Sequence, residues 1–183
     1  IQAALATLPG IVRLQVAGSL RRKRETVKDI DMVISVDDSA DEDAQNAIMD
    51  FFTQQPSVQA ITGKGPTKSS VVLSSGIAMD LRVVNDSQFP YTLHHFTGSR
   101  DHHIPLRRRA QSMNMTMNDY GLFKGVAQGK GKDTPNELVP CKNETDIYAA
   151  LGLDYIEPEL REDMGEIEAA AQHTLPILVQ ESD

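Results

Sequence analysis

Asp29 and Asp31 flank a single isoleucine at the head of an apolar run, Ile30-Asp31-Met32-Val33-Ile34-Ser35-Val36, and no other feature restricts the fold as much. The run reads as a β-strand over 30–36. Side chains i and i+2 of a strand share a face. Both carboxylates therefore project together, with Ile30 pointing into the core behind them. Two unpaired carboxylates this close raise each other's pKa unless a cation lies between them. A hard, oxygen-seeking ion such as Mg²⁺ meets that need. Taken alone, an Asp-x-Asp pair is more often two strand-edge acids in solvent, so its neighbours decide the reading.

Those neighbours favour phosphate chemistry. A strand is expected over 12–17, with Val12, Leu14 and Val16 on one face, ended by Gly18-Ser19. Backbone N–H groups and a hydroxyl at such a strand end can hold phosphate oxygens. A basic loop follows: with Arg13, the bases Arg21, Arg22, Lys23, Arg24 and Lys28 face one acid, Glu25. Arginines there offer charge-assisted phosphate contacts. A third acid, Asp80, lies in Met79-Asp80-Leu81-Arg82-Val83-Val84, another apolar strand pattern. Paired beside the first strand, it completes a three-carboxylate cluster. Three acids, two divalent ions and a phosphate cradle make a two-metal phosphoryl-transfer site.

Elsewhere the pattern alternates between strands and helices. Ser39 reads as a helix N-cap, with Glu42 completing a capping box. The helix carries Ala44, Ala47, Ile48, Phe51 and Phe52 at 3-and-4 spacing and cannot continue past Pro56. A strand over 58–62, a turn at Gly63-Lys64-Gly65-Pro66, and a hairpin across Ser75-Gly76 follow. After Phe89-Pro90 the texture changes. A basic helix over 104–110, a strand with Met113, Met115 and Met117 on its packed face, a glycine-rich loop over 125–132, and helices over 145–150 and 165–171 are expected. There are no internal repeats.

Composition sets limits. Net charge is −8, against a chain that simply coats nucleic acid. From Glu144 to the end there are eleven acids and one arginine or lysine, Arg161, read as a solvated acidic end opposite the basic loop. No apolar run approaches the roughly 20 residues of a membrane span, and no secretion signal is visible. Cys141 is the single cysteine and reads as a small, partly buried side chain. That fits a reducing compartment. Ile1 in place of a starting methionine suggests a piece of a longer protein.

Gly18-Ser19-Leu20-Arg21-Arg22, Glu25-Thr26, Asp29-Ile30-Asp31 and Asp80 together resemble the palm signature of family X DNA polymerases. Phe96-Thr97-Gly98-Ser99 resembles that family's nucleotide-binding segment. Asn118 to Phe123 and Leu151 to Glu162 look like the thumb and closing motif of its bacterial and archaeal branch. The resemblance implies an α+β fold: a nucleotidyltransferase palm over 1–92, with a mixed β-sheet and helices on one side, then a small α/β thumb over 93–183. It implies a DNA-directed polymerase that uses two Mg²⁺ (or Mn²⁺) ions and deoxynucleoside triphosphates on gapped or primer–template DNA, in repair.

By resemblance, Asp29 and Asp31 bind both metals, and Asp80 binds the catalytic one and accepts the primer hydroxyl's proton. Gly18, Ser19 and Arg22 hold the triphosphate. Phe96 and Gly98 pack on the incoming nucleotide, Arg107 reaches the template strand, and Lys64, Thr67 and Lys68 grip the duplex backbone. His95 stands where the family usually has Tyr and His103 where it has Asn. Lys28 replaces a glycine and Ala78 a basic residue. A monomer in the bacterial or archaeal cytoplasm, joined to further domains, is expected. Two alternatives stay open: a nucleotidyltransferase with a non-DNA acceptor, and a DNA-binding scaffold without catalysis.

Overall fold

The computed structural model describes residues 1–125 and 137–178, built on two antiparallel or mixed sheets. A short helix α1 (Gln2–Leu5) precedes β1 (Ile11–Ala17), the helical turn α2 (Gly18–Arg21) and β2 (Asp29–Val36). Helix α3 (Glu42–Thr53) leads to β3 (Val58–Lys64), β4 (Lys68–Leu73) and β5 (Ala78–Asn85). These five strands stand in the order β1-β2-β5-β4-β3, with β2 and β5 parallel and the other neighbours antiparallel. The second part holds α4 (Phe89–Thr97), α5 (Arg100–Ser112), β6 (Met115–Asn118), β7 (Gly121–Lys124), β8 (Glu137–Leu138), α6 (Glu144–Ala150) and α7 (Glu166–Ala171). Strands β6, β7 and β8 form its small sheet. This is the expected α+β class with a mixed sheet.

Strand alternation divides β2 between two faces. Met32, Ile34 and Val36 enter a core with Ile48, Met49 and Phe52 of α3 and Leu5 of α1. Val33, on the opposite face, packs with Ala17 of β1 and with Phe89 and Leu93 of α4. So α1 and α3 back the sheet, while α4 covers part of the face that carries Asp29 and Asp31. The division expected after residue 92 falls inside α4, whose Tyr91 belongs to the core of the second part.

Several local expectations shift. Asp41, not Ser39, caps α3: its side chain accepts from Ala44 N at 2.9 Å. Asp37 takes both the backbone N and the hydroxyl of Ser39, at 2.9 and 2.5 Å, in a local turn that delays the helix. Val12 is 52% exposed, because the register shifts between Ile11 and Arg13; Leu14 and Val16 keep the packed face. Strand β3 runs on to Lys64, so the turn to β4 begins at Gly65. Met113 caps α5 and is 41% exposed; Met115 and Met117 alone hold the packed face. Beyond Gly125, the glycine-rich loop lies outside the described residues.

The two parts are joined by buried charge. Glu144, at the start of α6, accepts from Arg21 of α2 and from Arg161 Nη1 at 2.7 Å. Arg161 is fully buried; its Nε donates to Ile156 O at 3.0 Å, and its guanidinium carbon lies 5.3 and 5.6 Å from the Tyr148 and Tyr155 rings. Burial acts to raise the Glu144 pKa, yet the two guanidiniums outweigh it and hold the carboxyl below its usual range. The acidic end is thus not simply solvated: Glu144 pairs with Arg21, Glu159 with Lys23, and Glu162 with Arg22. Arg13 adds a second tie, donating to Asp86 at 2.7 Å and to Lys142 O at 2.7 Å. Removing one partner of a buried ion set strands the other charges. Glu144→Ala should therefore destabilise the protein by about 3–5 kcal/mol in urea unfolding. A loss below about 1 kcal/mol would mean that Arg21 and Arg161 find other partners or water.

Candidate active site

Parallel pairing sets Asp31 directly opposite Asp80, and Asp29 opposite Ala78. Opposed residues of paired strands share a face, so the three carboxylates project from one side of the sheet. Lys68 and Ser70 of β4, opposite Arg82 and Asp80, project to the same side. Burial raises the Asp31 pKa above its ordinary value; Arg82 opposes this, and the charges of Asp80 and Asp29 reinforce it. Arg82 Nη1 stands 3.5 Å from Asp31 Oδ1, and its guanidinium carbon lies over Phe96, 3.6 Å from the ring centroid.

Gly18 closes in on the other side of Asp31. Its φ is +66°, and a Cβ there would lie 2.9 Å from Asp31 Oδ2. Only glycine meets both demands. Ser19 follows on α2, and Arg22 caps its end. They border a cavity of about 540 Å³, lined also by Gly18, Asp31, His95, Phe96, Gly98, Ser99, Arg100, His103, Ile104 and Arg107. Gly98 takes φ +72°, and a Cβ on it would sit 3.0 Å from Arg22 Nη1.

The helix α5 enters the cavity wall from the second part. Ser99 caps it, accepting from His102 N at 3.3 Å. His103 Nε2 donates to His95 O at 3.1 Å, and Arg107 Nη2 donates to His95 Nδ1 at 3.3 Å. Behind them lies a buried polar chain. The directions that satisfy every atom run from His94 Nε2–H to the Tyr148 hydroxyl (2.9 Å), from that hydroxyl to His102 Nε2 (3.0 Å), and from His102 Nδ1–H to Glu166 (2.6 Å). Burial holds His94 well below the usual histidine range. Burial, helped by the neighbouring His102, His95 and Arg107, brings His103 down to about 3.

The residues singled out from the sequence fall into groups. Gly18, Ser19, Arg22, Asp31, Phe96, Gly98 and Arg107 meet at the cavity, with Asp29 and Asp80 beside Asp31 on the sheet. Thr67 and Lys68 are exposed on the turn at the start of β4. Lys64 does not join them: it binds Asp50 of α3 at 2.5 Å, on the far face of the sheet. In donor chemistry the three carboxylates suit a hard divalent cation. Among the described residues no three acids, histidines or cysteines already converge as a metal cage. Arg82 and Glu162, which hold charged side chains of the site, were given no role from the sequence. Arg82 could have been found from strand spacing, since it stands two positions after Asp80. Glu162 left no such signal, because its partner Arg22 is 140 positions away.

The DNA polymerase beta thumb family matches residues 92–162. The chain is 38% identical over 170 residues to the DNA polymerase/3'-5' exonuclease PolX of Bacillus subtilis, covering 92% of this chain and 27% of that protein. It is 24% identical over 157 residues to a Repair DNA polymerase X of African swine fever virus, covering 81% of this chain and 80% of that one. The chain thus spans about a quarter of its bacterial relative. In structure it is similar to Leishmania infantum polymerase beta in a ternary P/T complex, with a TM-score of 0.66 and 24% identity, over 81% of this chain and 67% of that one. That likeness shows the fold. Among the described residues no helix is long and apolar enough to cross a membrane.

Two predictions follow from the electrostatics. Because the Asp31 pKa is raised, its ionised form is less favoured in the fold than in the unfolded chain. Its charge therefore costs stability at neutral pH, and that cost is relieved as pH falls through the folded pKa. Without metal, Asp31→Asn should raise Tm by about 2–4 °C, the response to roughly 1 kcal/mol in a protein of this size. It should also remove any rise in Tm produced by Mg²⁺; an equal Mg²⁺ response in both proteins would put the ions elsewhere. For the histidines the sign is opposite. His94 and His103 are neutral in the fold, so below about pH 6.5 the unfolded chain binds more protons and stability falls with pH. His103→Asn should flatten that fall between pH 6.5 and 4 in urea titrations; parallel curves would assign the acid loss to other groups.

Proposed function

We propose that this chain is the catalytic palm (1–92) and thumb (93–183) of a family X DNA polymerase, a template-directed enzyme for gap-filling repair. One observation carries the reading: three carboxylates on one sheet face stand beside a cavity bordered by Gly18, Ser19 and Arg22. Family X polymerases are metal-dependent, and the donor set on β2 and β5 is of the right kind. Asp29 and Asp31 would hold both Mg²⁺ ions, and Asp80 would hold one of them. Bound there, the ions supply Lewis acidity to the attacking hydroxyl and neutralise charge on the leaving pyrophosphate.

The chain's own residues do the rest. Ser19 and Arg22 hold the triphosphate by charge-assisted hydrogen bonds, with the backbone of Gly18 close to it. Phe96 and Gly98 bound the sugar and base. Asp80, opposite Asp31, accepts the primer hydroxyl's proton. Arg107 on α5 reaches the template strand, and Thr67 and Lys68 bind the duplex backbone on the carboxylate side of the sheet. Lys64 joins them once it leaves Asp50. The substrates are gapped DNA and deoxynucleoside triphosphates. The working protein is a monomer in the cytoplasm, with further domains beyond this chain.

Primer extension across a one-nucleotide gap tests this. With divalent metal, the full-length protein should add the templated nucleotide. Asp80→Ala should reduce extension by about 10²–10³-fold or more while DNA binding is retained, since Asp80 acts on the reacting atoms. Untemplated addition would point to a different acceptor chemistry. Binding without any incorporation would reduce the chain to a scaffold.

A further inference from the structure

Of the four consecutive bases Arg21 to Arg24, Arg22 alone lines the cavity. Its guanidinium is held on two edges. Nη1 donates to Thr97 O at 2.5 Å, against the close approach of Gly98, and Nε donates to Glu162 Oε1 at 2.7 Å. Nη2 makes no hydrogen bond to the described residues. The carbonyl and the glycine already fix where Arg22 lies. What Glu162 adds is a negative charge, on a guanidinium only 15% exposed, where screening by water and salt is weak. Arg24 Nη1 stands 3.7 Å from the same Glu162 oxygen and is 54% exposed. A displaced Glu162 thus has a second cation within reach.

We propose that Glu162 is a built-in competitor of the polyphosphate for Arg22, displaced onto Arg24 when a nucleoside triphosphate binds. This rests on the reading that Arg22 holds the triphosphate. An approaching polyphosphate meets a cation already neutralised on its Nε edge, and the carboxylate there repels it. Binding therefore has to move Glu162, and the affinity of the loop is set below what Arg22 alone would give. Glu162 is a positioning residue in this scheme: it acts through Arg22 and does not touch substrate. It also ties the triphosphate loop to the segment just after the short helical turn Pro158–Leu160, so occupancy of the cavity is felt in the second part of the chain.

Calorimetry on the intact chain, with inorganic tripolyphosphate and with Mg²⁺–dTTP as probes, tests the proposal. Glu162→Gln should bind both about fivefold tighter or more, the usual scale of a coupling between two sites. Arg24→Ala should weaken binding, and weaken it less in the Glu162→Gln background, because the handover no longer matters there. A purely structural role for Glu162 would not produce that non-additivity. Unchanged or weaker binding by Glu162→Gln overturns the proposal, as does binding by neither protein. Arg22→Ala separates the two levels. If it leaves tripolyphosphate affinity intact, Arg22 is not the phosphate ligand, and the functional reading of that residue fails together with the proposal. If it abolishes binding while Glu162→Gln gains nothing, the proposal alone fails.

Discussion

Asp31 and Asp80 are neighbours across two parallel strands, and that register is the constraint around which the site is built. A parallel pair needs a long crossover, here α3, β3 and β4, so the two acids are 49 positions apart in the chain and adjacent in the sheet. Each surrounding feature answers the concentration of charge. Gly18 yields room for the Asp31 carboxylate, Arg82 supplies a nearby cation, and the Phe96 ring lies against that cation. The apolar side of the same strands, packed on α3, holds the register against the repulsion. A slip of β2 by one residue would turn Asp29 and Asp31 into the core.

A second charge system binds the halves of the chain. The basic loop after β1 is clasped by acids from the far end: Glu144 on Arg21, Glu159 on Lys23, Glu162 on Arg22. The most buried member, Glu144, sits between two guanidiniums and continues through Arg161 to Tyr148, and from there to His94, His102 and Glu166. The cavity wall is contributed by α2 on one side and by α4 and α5 on the other, so its shape depends on that clasp. Buried ion sets of this kind are weak sources of net stability but costly to break, and they hold one docking geometry against others.

Much of the sheet was legible because strand alternation is a local property. Five strands were read from period-two patterning, and the common face of Asp29 and Asp31 followed from spacing alone. The misreadings are cases in which a nearby hydrogen bond or an irregularity outweighed the pattern. Ser39 has the chemistry of a cap, but Asp37 captured its hydroxyl and Asp41 took the position. Val12 fits the apolar face until the register shift beside it turns the side chain to solvent. Met113 continues the methionine alternation by number only, since it caps the end of α5 and is not yet in the strand. Lys64 looked like part of a basic turn; two more residues of strand send it to Asp50 instead.

By itself, the sequence determined the residue types of the site, the shared face of two acids and the α+β class, because propensity, spacing and charge act over a few residues. Tertiary structure alone decided which distant groups meet. That Asp80 faces Asp31 and not another residue depends on a crossover of some forty positions. That Arg22 reaches the cavity while Arg21 turns to Glu144 depends on where α6 presents that carboxylate. That the acidic end pairs with the basic loop, with Glu162 on the one residue of Arg21 to Arg24 that borders the cavity, depends on the docking of the two halves. Coulomb attraction between side chains 140 positions apart leaves no mark in local pattern; it acts only after packing has brought them within a hydrogen bond.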